Sequence, residues 1–271
     1  MKKIMIICLT AFAMLFMGCA SGSSGGALTE KERQDWYEEL IPASSIPAQA
    51  QLAEGEEPTV YRVSDIDTEL KELRTGTKGT YYRWLGYLGF YQERTKWAAY
   101  QDVVMQKSAA LLAKERKAKL AVFQTKSEVL GTETEIQTSS YYNSLLKSYE
   151  TTSKPVTYTI RKNEYDIYLF APYTEAEIAQ WHLGLAGRDL NTEDREKSGR
   201  NTGVFLSVIR MNYPGFYANM QYGDIIISMN GTAINNAADF ADFESKLKEG
   251  DNVRITFVRD GKTQSVDLVS K

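Results

Sequence analysis

The chain holds one histidine, His182, and two cysteines, Cys8 and Cys19. Few reactive constellations can be assembled from that stock. A Ser-His-Asp hydrolase needs a histidine as general base, so it would have to be built on His182. That residue stands beside Trp181, a setting that suits a structural or surface histidine. It also suits one lying near a peptide carboxylate, whose binding would then follow pH. Both cysteines fall in the first twenty residues, which excludes a disulfide framework and a multi-cysteine metal site. Asp65 and Asp67 sit two apart on a predicted helix and point to different faces, so they read as a solvated helix start rather than a cation site. Gly76-Thr77-Lys78-Gly79-Thr80 has a lysine and threonines but not the spacing of a phosphate-binding loop, and is expected to be a plain loop. No catalytic residue, metal or cofactor is expected. The chain reads as a non-enzyme, with an unrecognised hydrolase as the alternative.

Bulk properties agree with a globular protein. At 271 residues and 43% apolar content, the chain has room for a leading segment and about two packed domains. Its net charge of −3 and lack of a basic stripe speak against nucleic acid as a partner. Met1-Lys2-Lys3 followed by the apolar run Ile4 to Met17 is too short to span a bilayer and has the form of a targeting segment. It ends in Leu15-Phe16-Met17-Gly18-Cys19, which resembles the bacterial lipoprotein cleavage site, with Phe16 where the pattern has Leu. The resemblance implies cleavage after Gly18, acylation of Cys19 (palmitate among its chains) and anchoring in the cell envelope, at the outer membrane where the cell has one. An ordinary secretory peptide cut elsewhere is the alternative.

The elements expected downstream follow from periodicity and breakers. Residues 20–27 form a flexible tether. Leu28 to Leu40 reads as a short helix capped by Thr29 and stopped by Pro42. Residues 42–58 read as a linker without fixed structure. A helix over 63–73, an aromatic strand over 80–91, a helix within 97–117 and a strand over 119–125 predict a βαβ unit with parallel pairing. The aromatic run Tyr81 to Tyr91 is expected to pack in the sheet core rather than stack on sugars. Residues 127–154 are Ser/Thr-rich and weakly patterned. Residues 156–170 alternate as one or two strands, with Asn163-Glu164 as a turn. This part resembles a domain of uncharacterised bacterial lipoproteins, through Leu85-Gly86-Tyr87-Leu88-Gly89-Phe90 and through Ala113-Lys114 with Ala118-Lys119-Leu120-Ala121-Val122. That resemblance implies no chemistry. A short helix at 174–178, capped by Thr174 through Glu177, follows, and residues 191–201 read as a loop or frayed helix.

The last third is marked by its turns. Asn230-Gly231 and Asp260-Gly261 suit positions with φ > 0, and the second joins two alternating strands as a hairpin. Phe240, Phe243 and Leu247 share one face of a helix that Asn236 and Asp239 can start and Gly250 can end. With Leu183-Gly184-Leu185, Thr202-Gly203-Val204-Phe205, Tyr213-Pro214-Gly215 and Gly223-Asp224-Ile225-Ile226, these residues resemble a PDZ domain, of the type attached to bacterial envelope serine proteases of the high-temperature-requirement class. The protease's own histidine and serine motifs, which would precede residue 180, are missing. Where that family has Ala-Gly-Leu, this chain has Ala218-Asn219-Met220, and Asn tolerates the left-handed conformation.

The resemblance implies an extended peptide added as a strand beside a sheet edge and under a helix. Leu183, Gly184 and Leu185 would hold its C-terminal carboxylate on backbone N–H groups, and Phe240, Phe243 and Leu247 would wall the pocket for an apolar last side chain. Plain core packing is the competing reading for those three. The expected organisation is a signal peptide at 1–18, a lipid-anchored tether, short helix and linker at 19–58, an α/β (α+β) domain of unknown function at 59–175, and a PDZ-like, partly open β-barrel or sandwich with a flanking helix at 178–271. The expected partners are a peptide or protein C-terminus and, through Cys19, a membrane. The expected function is that of a non-catalytic adaptor or sensor. A structural lipoprotein whose groove is unused is the alternative.

Overall fold

The computed structural model describes residues 27–76 and 79–271. The targeting segment, Cys19, Thr77 and Lys78 lie outside these residues. The fold comprises two sheets in succession.

The first sheet has the order β1 (Tyr37–Glu39), β3 (Tyr82–Thr95), β5 (Ser148–Pro172), β4 (Leu120–Asn143), β2 (Thr59–Arg62). Helix α1 (Glu30–Asp35) carries the predicted Thr29 cap, but the chain turns into a strand after Trp36 instead of continuing as a helix. β1 can lie against β3 because Gly86 has no side chain: a Cβ there would stand 2.3 Å from the Glu38 carbonyl oxygen. The 42–58 segment is ordered, contrary to expectation. It forms two single 3₁₀ turns and buries Ile46, Ala50 and Leu52.

Helix α2 (Ile66–Thr75) is capped by Asp65, whose carboxylate accepts the Asp67 and Thr68 N–H groups, and ends at Gly76 in the left-handed region. It covers one face of the sheet, packing Ile66, Leu70 and Leu73 on Leu120, Val122 and Phe170. Helix α3 (Asp102–Glu115) covers the other, packing Met105, Ala109 and Leu112 among Ala121, Phe123, Ile167 and Leu169. The period of two along β4 and β5 sends alternate residues to the two helices. The aromatics of β3 pack against the core while remaining partly exposed, and Tyr91 is exposed: Phe90 stacks between Trp36 and Tyr165, and Trp84 packs on Tyr87 and Tyr168.

The parallel strand–helix–strand unit is present in split form. β3 and β4 are joined through α3, but β5 is inserted between them, antiparallel to both. The directly hydrogen-bonded parallel pair is β2 with β4. β5 is one unbroken strand of 25 residues. Asn163 makes no turn; it is buried, bonding Ser127 Oγ and Gln92 Oε1 across both neighbours. Past a bulge at Val129–Gly131, β4 and β5 leave the sheet as a two-stranded arm about 40 Å long. A hydroxyl ladder crosses it at Thr134–Thr157, Thr138–Ser153 and Ser140–Thr151. Its tip exposes Leu145 (93%), Leu146 and Tyr149.

Helix α4 (Glu175–Ile178), with the predicted Thr174–Glu177 capping box, leads to the second sheet. Its order is β11 (Lys262–Val269), β10 (Asn252–Arg259), β8 (Ile225–Met229), β7 (Val204–Ile209), β6 (Leu185–Asp189), with β9 (Thr232–Ala233) beside β8. The described strands form an open sheet and no closed barrel. Of the loop or frayed helix expected over 191–201, the structure has the helix, α5 (Thr192–Ser198), capped reciprocally by Asn191 and Asp194. Helix α6 (Pro214–Tyr217) precedes β8, and α7 (Ala237–Ser245) flanks β6. Asn219, Asn230 and Asp260 adopt positive φ, as their turns require. The two sheets meet where Arg83 Nη2 donates to both carboxylate oxygens of Glu177 with the guanidinium against the Tyr173 ring, and Trp181 packs edge-on against Tyr81 and Tyr173.

Candidate functional site

The site lies at the head of β6. Leu183-Gly184-Leu185 forms a tight loop there, and Gly184 has φ +73°, which L side chains rarely adopt. A Cβ on Gly184 would also stand 2.2 Å from Tyr213 Cβ, so the loop can close only with glycine. Neighbouring backbone pins it: Arg210 N–H donates to the Gly184 carbonyl at 2.7 Å, and Gly215 N–H to the Leu183 carbonyl at 2.9 Å. Beyond the loop, β6 pairs with β7 on one edge and, among the described strands, with nothing on the other.

Two of the loop's own N–H groups are hydrogen-bonded within the fold. Gly184 N–H donates to the Trp181 carbonyl at 3.0 Å. Leu183 N–H donates to Oε1 of Glu244 at 2.9 Å, and the Leu185 N–H faces the same carboxyl closely enough to pull its titration down. Glu244 comes from the last turn of α7 and is 2% exposed. Burial pushes its carboxyl up to about 8, against the pull of the two N–H groups. At the other end of α7, Asp189 Oδ1 accepts the Ala237 N–H at 2.7 Å. The helix is therefore tied to β6 at both ends.

Of the three predicted wall residues, Phe240 is core, 3% exposed among Leu183, Leu185 and Ile255. Phe243 and Leu247 are half-buried and pack against the same cluster. His182 is partly exposed, with Nδ1 3.2 Å from the Lys271 carbonyl oxygen. It lines a cleft of about 350 Å³ with Trp181, Arg210, Tyr213 and Lys271. Gly203, which marks the entry to β7, lies away from the loop and bonds Asn235.

Glu244 is the residue that sequence reasoning passes over. Its spacing carries the signal. It stands four after Phe240 and three before Leu247, on the apolar face rather than the solvent face. A carboxyl placed there has to find backbone donors or leave the fold.

The PDZ domain family matches residues 183–269. Residues 183–269 are a PDZ domain. It is homologous to the PDZ domains of HtrA/DegP-type serine proteases. A probable periplasmic serine endoprotease, DegP-like, of Pseudomonas putida (strain GB-1) is 28% identical over 96 residues, covering 35% of this chain and 20% of that protein. The periplasmic serine endoprotease DegP of Escherichia coli (strain K12) is 29% identical over 94 residues, covering 34% of this chain and 20% of its own. The chain thus spans about a fifth of the length of these curated relatives. Among solved structures, the HtrA-type protease AlgW with decapeptide aligns at 17% identity over 38% of this chain and 36% of its own, with a TM-score of 0.31. The HtrA3 PDZ domain bound to a phage-derived ligand aligns at 15% identity over 33% and 83%, with a TM-score of 0.29. No helix among the described residues is long and apolar enough to cross a membrane.

Proposed function

We propose that the chain is a non-catalytic adaptor of the cell envelope that binds the C-termini or extended segments of partner proteins through its PDZ domain. The observation that carries this reading is the Leu183–Leu185 loop. It holds a carboxyl group on the Leu183 N–H at the head of a strand whose outer edge is unpaired among the described strands. A peptide laid along β6 would satisfy that edge by main-chain hydrogen bonds, and the half-buried Phe243 and Leu247 would contact its side chains. In this proposal residues 178–271 are the binding unit, and 59–175 is an α/β unit that carries it and presents the arm. Cys19 anchors the whole by acylation. More than one acyl chain gives firm attachment, at about 0.8 kcal/mol per buried CH₂.

An array of immobilised peptides tests the binding. Peptides rich in apolar residues should be retained, and Phe243→Ala or Leu247→Ala should weaken retention at least fivefold while the fold persists by circular dichroism. Binding indifferent to both substitutions contradicts the groove. Membrane fractionation tests the anchor: Cys19→Ser should move the protein to the soluble fraction, and continued sedimentation with lipid contradicts acylation.

A further inference from the structure

Glu244 raises a question that peptide binding alone does not answer. The apolar face of α7 offers that position to any aliphatic side chain, yet the chain buries a carboxyl there. A buried carboxyl without a cation is expensive unless backbone donors satisfy it. The donor here is the Leu183 N–H, with the Leu185 N–H facing the same carboxyl. They belong to the loop which, on the reading above, would take the C-terminal carboxylate of a ligand. The third N–H of the loop is committed to Trp181. Two of the loop's three N–H groups are therefore bonded and that of Leu185 faces the same carboxyl, and what occupies the cradle has the functional group of a peptide's C-terminus.

We propose that Glu244 is a built-in stand-in for the ligand's terminal carboxylate, and that it sets the specificity of the groove. With the cradle occupied from within, a free C-terminus meets the Glu244 carboxyl where it would need open donors. A peptide gains its binding from main-chain pairing along β6 and from the side chains that pass Phe243 and Leu247. The ligands are internal extended segments of a polypeptide, and the end group of the chain does not matter. The proposal rests on the peptide-binding reading for its ligand. Its core, that the cradle holds carboxyl groups and is held by Glu244, stands on the loop geometry alone. The raised titration of Glu244 fits this, since a neutral carboxyl still offers oxygen to both N–H groups.

The test uses the full chain and pairs of peptides of one sequence, with a free or an amidated C-terminus, measured by isothermal titration. Wild type and Glu244→Gln should bind both members of a pair within about twofold, because Gln keeps an acceptor oxygen in the cradle. Glu244→Ala should bind the free form at least tenfold tighter than the amide. A tenfold preference of wild type for the free form overturns the proposal without any variant. A second arm needs no peptide. Sodium acetate should shift the amide resonances of Leu183 and Leu185 in Glu244→Ala, or restore its folding if that variant unfolds, and should leave wild type unchanged. If no peptide binds any protein but acetate acts as expected, the stand-in holds and the peptide-binding reading fails. If acetate has no effect and the alanine variant shows no preference, the stand-in fails.

Discussion

The two most deeply buried carboxyl groups of the PDZ domain are satisfied in opposite ways. Asp224, 1% exposed, receives both nitrogens of an Arg259 fork at 2.6 Å and the Gln221 N–H at 2.7 Å. Glu244, 2% exposed, receives backbone N–H groups and is satisfied without a side-chain cation. The first is a joint that closes the Gly223-Asp224 turn onto β10. The second is a side chain resting where a ligand group could rest. The arginine pair ties a turn to β10, whereas Glu244 rests on main-chain N–H beside the unpaired edge of β6.

The contrast can be broken in several ways. The largest effect is expected at the joint. Asp224→Ala leaves a part-buried guanidinium and a backbone donor unmatched, and should lower the unfolding free energy in urea by about 4 kcal/mol. A loss below about 1 kcal/mol would mean that the pair is not structural. The cradle should respond to pH instead. Folding raises Glu244 from the ordinary 4.5 to about 8. The stability linked to this group is therefore complete below pH 4.5 and lost progressively as pH rises to 8. Glu244→Gln lacks that loss, so its stability relative to wild type should rise by roughly 4 kcal/mol between pH 4.5 and 8. Parallel stability curves for the two proteins would contradict the buried carboxyl.

Gly184→Ala should cost about 2 kcal/mol, from a non-glycine residue in the left-handed region and a Cβ against Tyr213. It should also loosen the cradle, seen as faster hydrogen exchange at Leu183 and Leu185. The smallest effect is expected far from both carboxyls. Leu145→Ser at the tip of the arm should change stability by less than about 0.5 kcal/mol.

Much of the second sheet can be read from the chain because its information is local. Asn230-Gly231, Asp260-Gly261 and the Asn236–Asp239 cap each specify a turn or helix start within four residues. The first sheet depends on distant partners. Tyr37 to Glu39 becomes a strand only because Gly86, far along the chain, leaves room for it. The arm lacks the apolar alternation that marks a half-buried strand, since both its faces meet solvent. Its Ser/Thr ladder looks like loop composition until the register is known. Asn163 resembles a turn residue, and its buried cross-strand role is set by Gln92 and Ser127. In the site, the glycine of the loop is legible from its motif. The occupant is not, because glutamate in a helix is ordinarily solvated.

The most direct measurement is a pH titration of wild type followed by the amide resonances of Leu183 and Leu185, with Glu244→Gln as the reference. Both amides should shift together with a midpoint near pH 8 in wild type and stay flat in the variant. A midpoint near 4.5, or the same curve in both proteins, would show that Glu244 is not in the cradle.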